Sequence, residues 1–129
     1  MYEYQAQCIT VVDGDTIDVV VDLGFHLRRE IRLRLVDVDT HETYGVSKDS
    51  EEYRRGKEEA AFVKDWLAEA AAALENKGES GSEREYEWPL RIRTEKAGKY
   101  GRYIATVERK ADGEILNDAL LETFDDVES

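Results

Sequence analysis

A single cysteine, Cys8, excludes an internal disulfide, and His26 and His41 alone leave no Cys/His set for a structural zinc site. No apolar run approaches the roughly 20 residues that a membrane-spanning helix needs, so the sequence predicts no transmembrane protein. The N-terminus, Met1-Tyr2-Glu3-Tyr4, has neither a basic region nor an apolar stretch and predicts no uncleaved secretory precursor. Positive charge is scarce: 18 Lys and Arg face 30 Asp and Glu, a formal net charge of −12. That sign argues against generic coating of nucleic acid, which depends on counterion release by basic side chains. It leaves room for a local basic pocket. The acidic excess is spread along the chain and suits a protein working in high salt, where long-range repulsion is screened within a few Å. A salt-loving source is therefore expected.

What is present suffices for one folded domain over residues 1–129. With 41% hydrophobic residues, a chain of this length can bury roughly two-thirds of the surface its unfolded form exposes. Residues 4–12 are rich in β-formers and stop at Asp13-Gly14, a hairpin-type turn. In 16–23, Ile17, Val19 and Val21 share one face and Asp18 and Asp22 the other, and Gly24 breaks the run. A third alternating strand is expected from Leu27 to Val38, with Ile31, Leu33 and Leu35 opposite Arg32 and Arg34. A helix capped by Asp49 or Ser50 follows, with Glu51 and Glu52 in its first turn and an apolar stripe through Tyr53, Ala60, Val63, Leu67, Ala70 and Leu74. Gly56 is its weak point, so the helix is expected to be firm only beyond it; Asn76-Lys77-Gly78 is a good stop. Gly78–Glu85 has no apolar residue and reads as a mobile loop. Leu90–Thr94 and Tyr103–Arg109 read as strands joined by a turn around Lys96-Ala97-Gly98, and Ala111-Asp112-Gly113 leads into a short helix over Leu116–Phe124. The fold class is α+β. Five strands, one helix between the third and fourth and a short C-terminal helix fit a small Greek-key barrel of the oligonucleotide-binding (OB-fold) type. Composition alone does not choose it over another α+β arrangement.

Three segments hold charges where a barrel would hide none. Asp13-Gly14-Asp15-Thr16, taken alone, reads first as a hairpin turn. Arg34-Leu35-Val36-Asp37-Val38-Asp39-Thr40-His41-Glu42-Thr43 crowds acids and an arginine at the exit of an apolar strand. Lys99-Tyr100-Gly101-Arg102 enters the last strand and alone is as readily an exposed cationic turn as a site. Arg34 and Asp39 are five residues apart, so strict alternation would send them to opposite faces. They meet only if the pairing ends or bulges between Leu35 and Val38, which leaves Asp37 a neighbour of the site.

Together with Arg55-Gly56…Ala60-Ala61-Phe62 and Asp112-Gly113…Asn117-Asp118-Ala119-Leu120, these segments resemble the staphylococcal nuclease (thermonuclease-like) family, over about Val11 to Leu121. The resemblance implies a calcium-dependent nuclease acting on DNA or RNA, a monomer without membrane contact. It makes Asp15, Asp39 and the Thr40 carbonyl the ligands of one Ca2+, hard oxygen donors whose shell water completes. It makes Glu42 the general base, Arg34 and Arg102 the clamp on the phosphate, and Lys99 and Tyr100 contacts to a terminal phosphate or nucleotide. Hydrolysis would leave 3′-phosphate and 5′-hydroxyl ends. His41 stands where the family usually has proline, which implies a looser loop before Glu42; by itself it reads as a partly exposed histidine. After the Asn117–Phe124 helix only Asp125-Asp126-Val127-Glu128-Ser129 remains where better-known members continue, and Asp49–Arg54 replaces a basic loop. Cys8 reads as a small buried apolar residue, and Trp66 and Trp88 as core or groove-edge packing and not base-stacking platforms. The competing reading is a catalytically silent barrel that binds nucleic acid or protein; retention of Asp15, Arg34, Asp39, Glu42 and Arg102 favours the enzyme.

Overall fold

Alternation decides the strands and their pairing. The computed structural model describes residues 2–76, 88–95, 103–124 and 127–128. In order, its elements are β1 (Tyr2–Asp13), β2 (Thr16–Gly24), β3 (Leu27–Leu35), α1 (Glu51–Asn76), β4 (Leu90–Thr94), β5 (Tyr103–Arg109) and α2 (Leu116–Thr123). The strands form a closed barrel in the order β1-β2-β3-β5-β4. β1 closes it by pairing antiparallel with both β2 and β4, so Ala6 faces Val21 on one side and Leu90 on the other. β3 and β5 run parallel, Leu33 to Leu35 against Tyr103 to Ala105. A parallel pair needs a long crossover between its strands, and here that crossover carries α1 and β4.

Inward positions at period two fill the interior: Ile17, Val19 and Val21 from β2, Leu33 and Leu35 from β3, Leu90 and Ile92 from β4, Ala105 and Val107 from β5. Each large aliphatic side chain so buried is worth about 1.5–3 kcal/mol. α1 lies against β1 and α2 against β5. Phe62 and Phe124 meet edge to face at 5.6 Å and tie the helices together. The turn after β5 is fixed by a polar knot. The Arg109 guanidinium lies 4.6 Å over the Trp66 ring and donates to Asp112, Glu114 and Glu69, while Trp66 Nε1 donates to Glu114 at 2.8 Å. Trp88 and Trp66 are both buried. Cys8 is half-buried beside the core, and desolvation pushes its thiol up to about 11. No described helix is long and apolar enough to cross a membrane.

Two boundaries differ from the sequence reading. β3 stops at Leu35 instead of continuing to Val38, because Asp37 adopts a left-handed φ of 64° and turns the chain out of the ladder. α1 begins at Glu51, ahead of Gly56, because Ser50 Oγ accepts the Tyr53 amide at 3.2 Å and caps the first turn. The expected loop over Gly78–Glu85, the turn around Lys96-Ala97-Gly98, and Lys99, Tyr100 and Arg102 lie outside the described residues.

Candidate active site

The β1–β2 turn supplies the first acid. Asp13 pairs with Thr16, which leaves Gly14 and Asp15 at the corner. The Asp15 carboxylate is buried, accepting the Thr16 hydroxyl at 2.8 Å and the Thr40 backbone N–H at 3.1 Å. Gly14 is required at this corner. A Cβ there would stand 2.7 Å from Thr40 Cγ2 and 3.1 Å from Glu59 Cβ, so only glycine lets the turn meet both segments.

The exit of β3 supplies the next two charges. Arg34 is the penultimate residue of β3, opposite Thr16 of β2. Beyond Leu35 the Val36 N–H still donates to the Ala105 carbonyl at 3.0 Å, and then the left-handed Asp37 redirects the chain. Val38 is buried and bridges to Glu128, and the Asp39 N–H donates to the Val127 carbonyl at 2.7 Å. The end of pairing at Leu35 brings residues 34 and 39 to one side. Arg34 Nη2 lies 3.3 Å from Asp39 Oδ1 and 3.7 Å from Asp15 Oδ2. One guanidinium nitrogen thus stands between two carboxylates from separate segments.

Residues 40–43 form a clamped loop. The Thr40 N–H is held by Asp15, the His41 N–H by Glu59 Oε1 at 2.7 Å, and the Thr43 hydroxyl donates to Asp13 Oδ1 at 2.7 Å. His41 Nδ1 also lies 2.9 and 3.1 Å from the Glu59 oxygens. The looser loop expected from histidine in place of proline is therefore not what forms: a buried carboxylate on α1 fastens it. Thr40 is buried, His41 and Thr43 half-buried, and Glu42 between them is exposed. Desolvation and then the like charges of Asp13, Asp15, Asp39 and Glu52 raise the Glu42 pKa. Residue 42 is exposed, so the field is the more telling cause: four other acids act on one carboxyl, and a proton or a cation is favoured there.

Helix α1 sets the height of this loop through Gly56. A Cβ at 56 would stand 2.7 Å from the His41 carbonyl oxygen and from Thr43 Cγ2, and 3.2 Å from the Glu42 carbonyl. Gly→Ala inside a helix ordinarily stabilises by about 1 kcal/mol. Here the sign reverses: Gly56→Ala is expected to destabilise by about 1–3 kcal/mol, the usual overpacking penalty. Urea unfolding of the single variant checks this, and unchanged or increased stability would refute the close approach.

The fold thus brings Asp15, Arg34, Asp39, Thr40 and Glu42 to one end of the barrel, while Lys99, Tyr100 and Arg102 fall outside the described residues. Among the described residues no three His, Cys, Asp or Glu side chains are grouped to hold a metal ion. An ion here would use Asp15, Asp39 and a backbone carbonyl, with water completing the shell. The donor chemistry fits a hard cation: the two carboxylates converge, and Thr40 Oγ1 is a buried oxygen without a hydrogen-bond partner among the described residues. Three supporting residues were not singled out from sequence for these roles. Glu59 falls four before Val63 on the apolar stripe of α1, a charge on a core face. Asn117 sits between Leu116 and the buried turn of α2, and Val127 is the one apolar residue in its acidic segment. Compared with family models and with curated proteins, the chain matches none.

Proposed function

We propose that the chain is a calcium-dependent nuclease that hydrolyses phosphodiester bonds of DNA and RNA, leaving 3′-phosphate and 5′-hydroxyl ends. The observation that carries this reading is the shared position of Arg34 Nη2, 3.3 Å from Asp39 and 3.7 Å from Asp15, beside a Glu42 whose carboxyl feels both acids. Asp15, Asp39 and the Thr40 carbonyl would hold the ion, which when bound polarises the phosphoryl oxygen and offsets charge in the transition state. Arg34 donates paired hydrogen bonds to the non-bridging oxygens as negative charge accumulates on them. Glu42 orients the attacking water opposite the leaving 5′-oxygen and takes its proton, a task suited to a carboxyl of raised pKa. Arg102 would be the second guanidinium on the phosphate, with Lys99 and Tyr100 at the terminal phosphate or nucleotide. The strand order β1-β2-β3-β5-β4 supports the Greek-key, oligonucleotide-binding reading of the barrel. The substrate would be single-stranded or frayed, since such a backbone can track a groove and stack a base.

Plasmid nicking at several salt concentrations tests the proposal. Cleavage is expected with calcium and not with chelator, and Glu42→Gln should lower the rate about 10²–10³-fold. Tight oligonucleotide binding with no cleavage by the unaltered protein would instead support a silent binding barrel.

A further inference from the structure

We infer that Glu59 is the positioning residue of this site, a helix-borne carboxylate that sets Glu42 by gripping the residue before it; the inference rests on the hydrolytic reading above. Glu59 is 1% exposed, on the face of α1 that also buries Ala60 and Val63. A carboxylate in such a place is costly, and an apolar side chain of similar volume would pack there at least as well. What Glu59 provides is geometry. One oxygen accepts the His41 N–H at 2.7 Å, and both lie within 3.1 Å of the His41 ring nitrogen Nδ1. One helical turn earlier, Gly56 lies flat against the His41 and Glu42 carbonyl oxygens. His41 is therefore held at its N–H by Glu59, and its carbonyl runs close against the helix at Gly56. Glu59 Cβ also rests against Gly14, beside Asp15. A single side chain thus registers the turn carrying one acid against the loop carrying the proton acceptor. A proton acceptor needs such support, because displacement by about 1 Å can reduce a rate a hundredfold.

Glu59→Met keeps the buried volume and removes the grip. The variant is expected to unfold cooperatively, its melting temperature lowered by several degrees because the His41 N–H loses its acceptor, with kcat on an oligonucleotide reduced about a hundredfold and KM unchanged. Glu59→Gln can still accept the His41 N–H and face Nδ1, and should keep kcat within about threefold. Amide exchange at His41 should be slow in the unaltered protein and fast in Glu59→Met. Unchanged kcat in Glu59→Met overturns the inference, as does a Glu59→Gln rate that falls equally far, or a Glu59→Met protein that no longer folds, which would make the residue structural. Absence of cleavage by the unaltered protein would sink the hydrolytic reading separately. Positioning of the loop then stands or falls on the His41 exchange rates, and equal rates in the two proteins refute it.

Discussion

Arg34→Ala should lower turnover about 10²–10³-fold while leaving the barrel folded. The guanidinium is partly open to solvent and its partner Asp39 is more so, 34% and 59% by side chain. An ion pair of that kind contributes about 0–1 kcal/mol to stability, so the melting temperature should hardly move. Its value lies in the reaction, where a planar donor fork meets charge that builds up only in the transition state. Lysine keeps the charge and loses the fork, so Arg34→Lys should recover only part of the lost rate. Metal affinity gives an independent sign. Removing a cation from between Asp15 and Asp39 should tighten calcium binding, whereas Asp39→Asn should weaken it. Calorimetric titration of both variants reads this difference. An Arg34→Ala protein that keeps most of its specific activity, or binds calcium more weakly, would show that the guanidinium serves another purpose.

The second large effect is on stability and centres on Asn117. β5 pairs with β3 only as far as Ala105, because β3 ends at Leu35. Past that point the edge of β5 needs another partner. The buried Asn117 amide takes the place of a peptide group: Oδ1 accepts the Val107 N–H at 3.1 Å, and Nδ2 donates to the carbonyls of Ala105 at 3.2 Å and Val36 at 2.9 Å. Asn117→Ala removes all three bonds at once. Each buried backbone group left unsatisfied costs about 1–3 kcal/mol. With one carbonyl still served by the Val36 N–H, the net loss should be about 2–4 kcal/mol. For a domain of this size that is roughly 10 °C in melting temperature. Asn117→Asp should do no better, since it sets a carboxylate against two carbonyl oxygens. Denaturant unfolding of the two variants decides the matter, and a loss below 1 kcal/mol would mean the amide is dispensable.

The strands were legible in the sequence because period two is a local property: Ile17, Val19 and Val21 lie inward and Asp18 and Asp22 outward. So was the meeting of Arg34 and Asp39, which required pairing to stop after Leu35, as it does. Less legible were features whose cause lies elsewhere in the chain. Gly56 looked like a weakness in a helix taken alone, and its purpose emerges only where the His41 carbonyl crosses it. Histidine at 41 suggested slack, because nothing nearby in sequence reveals that Glu59 would reach it. Asn117 and Val127 likewise act on backbone groups of residues 36 and 39, far earlier in the chain. Periodicity marks the face a residue occupies, but not the loop that face will meet.

The Val127 carbonyl that accepts the Asp39 amide has a consequence for biogenesis. A nascent polypeptide emerges from the ribosome with Asp15, Asp39 and Glu42 well before the segment that pins Asp39 has been translated. Until those late residues arrive, the backbone at Asp39 lacks its anchor, so the arrangement of acids around Arg34 is among the last parts to be fastened. Ribosome-bound intermediates halted before Val127 should therefore present every acid of the site without its final order.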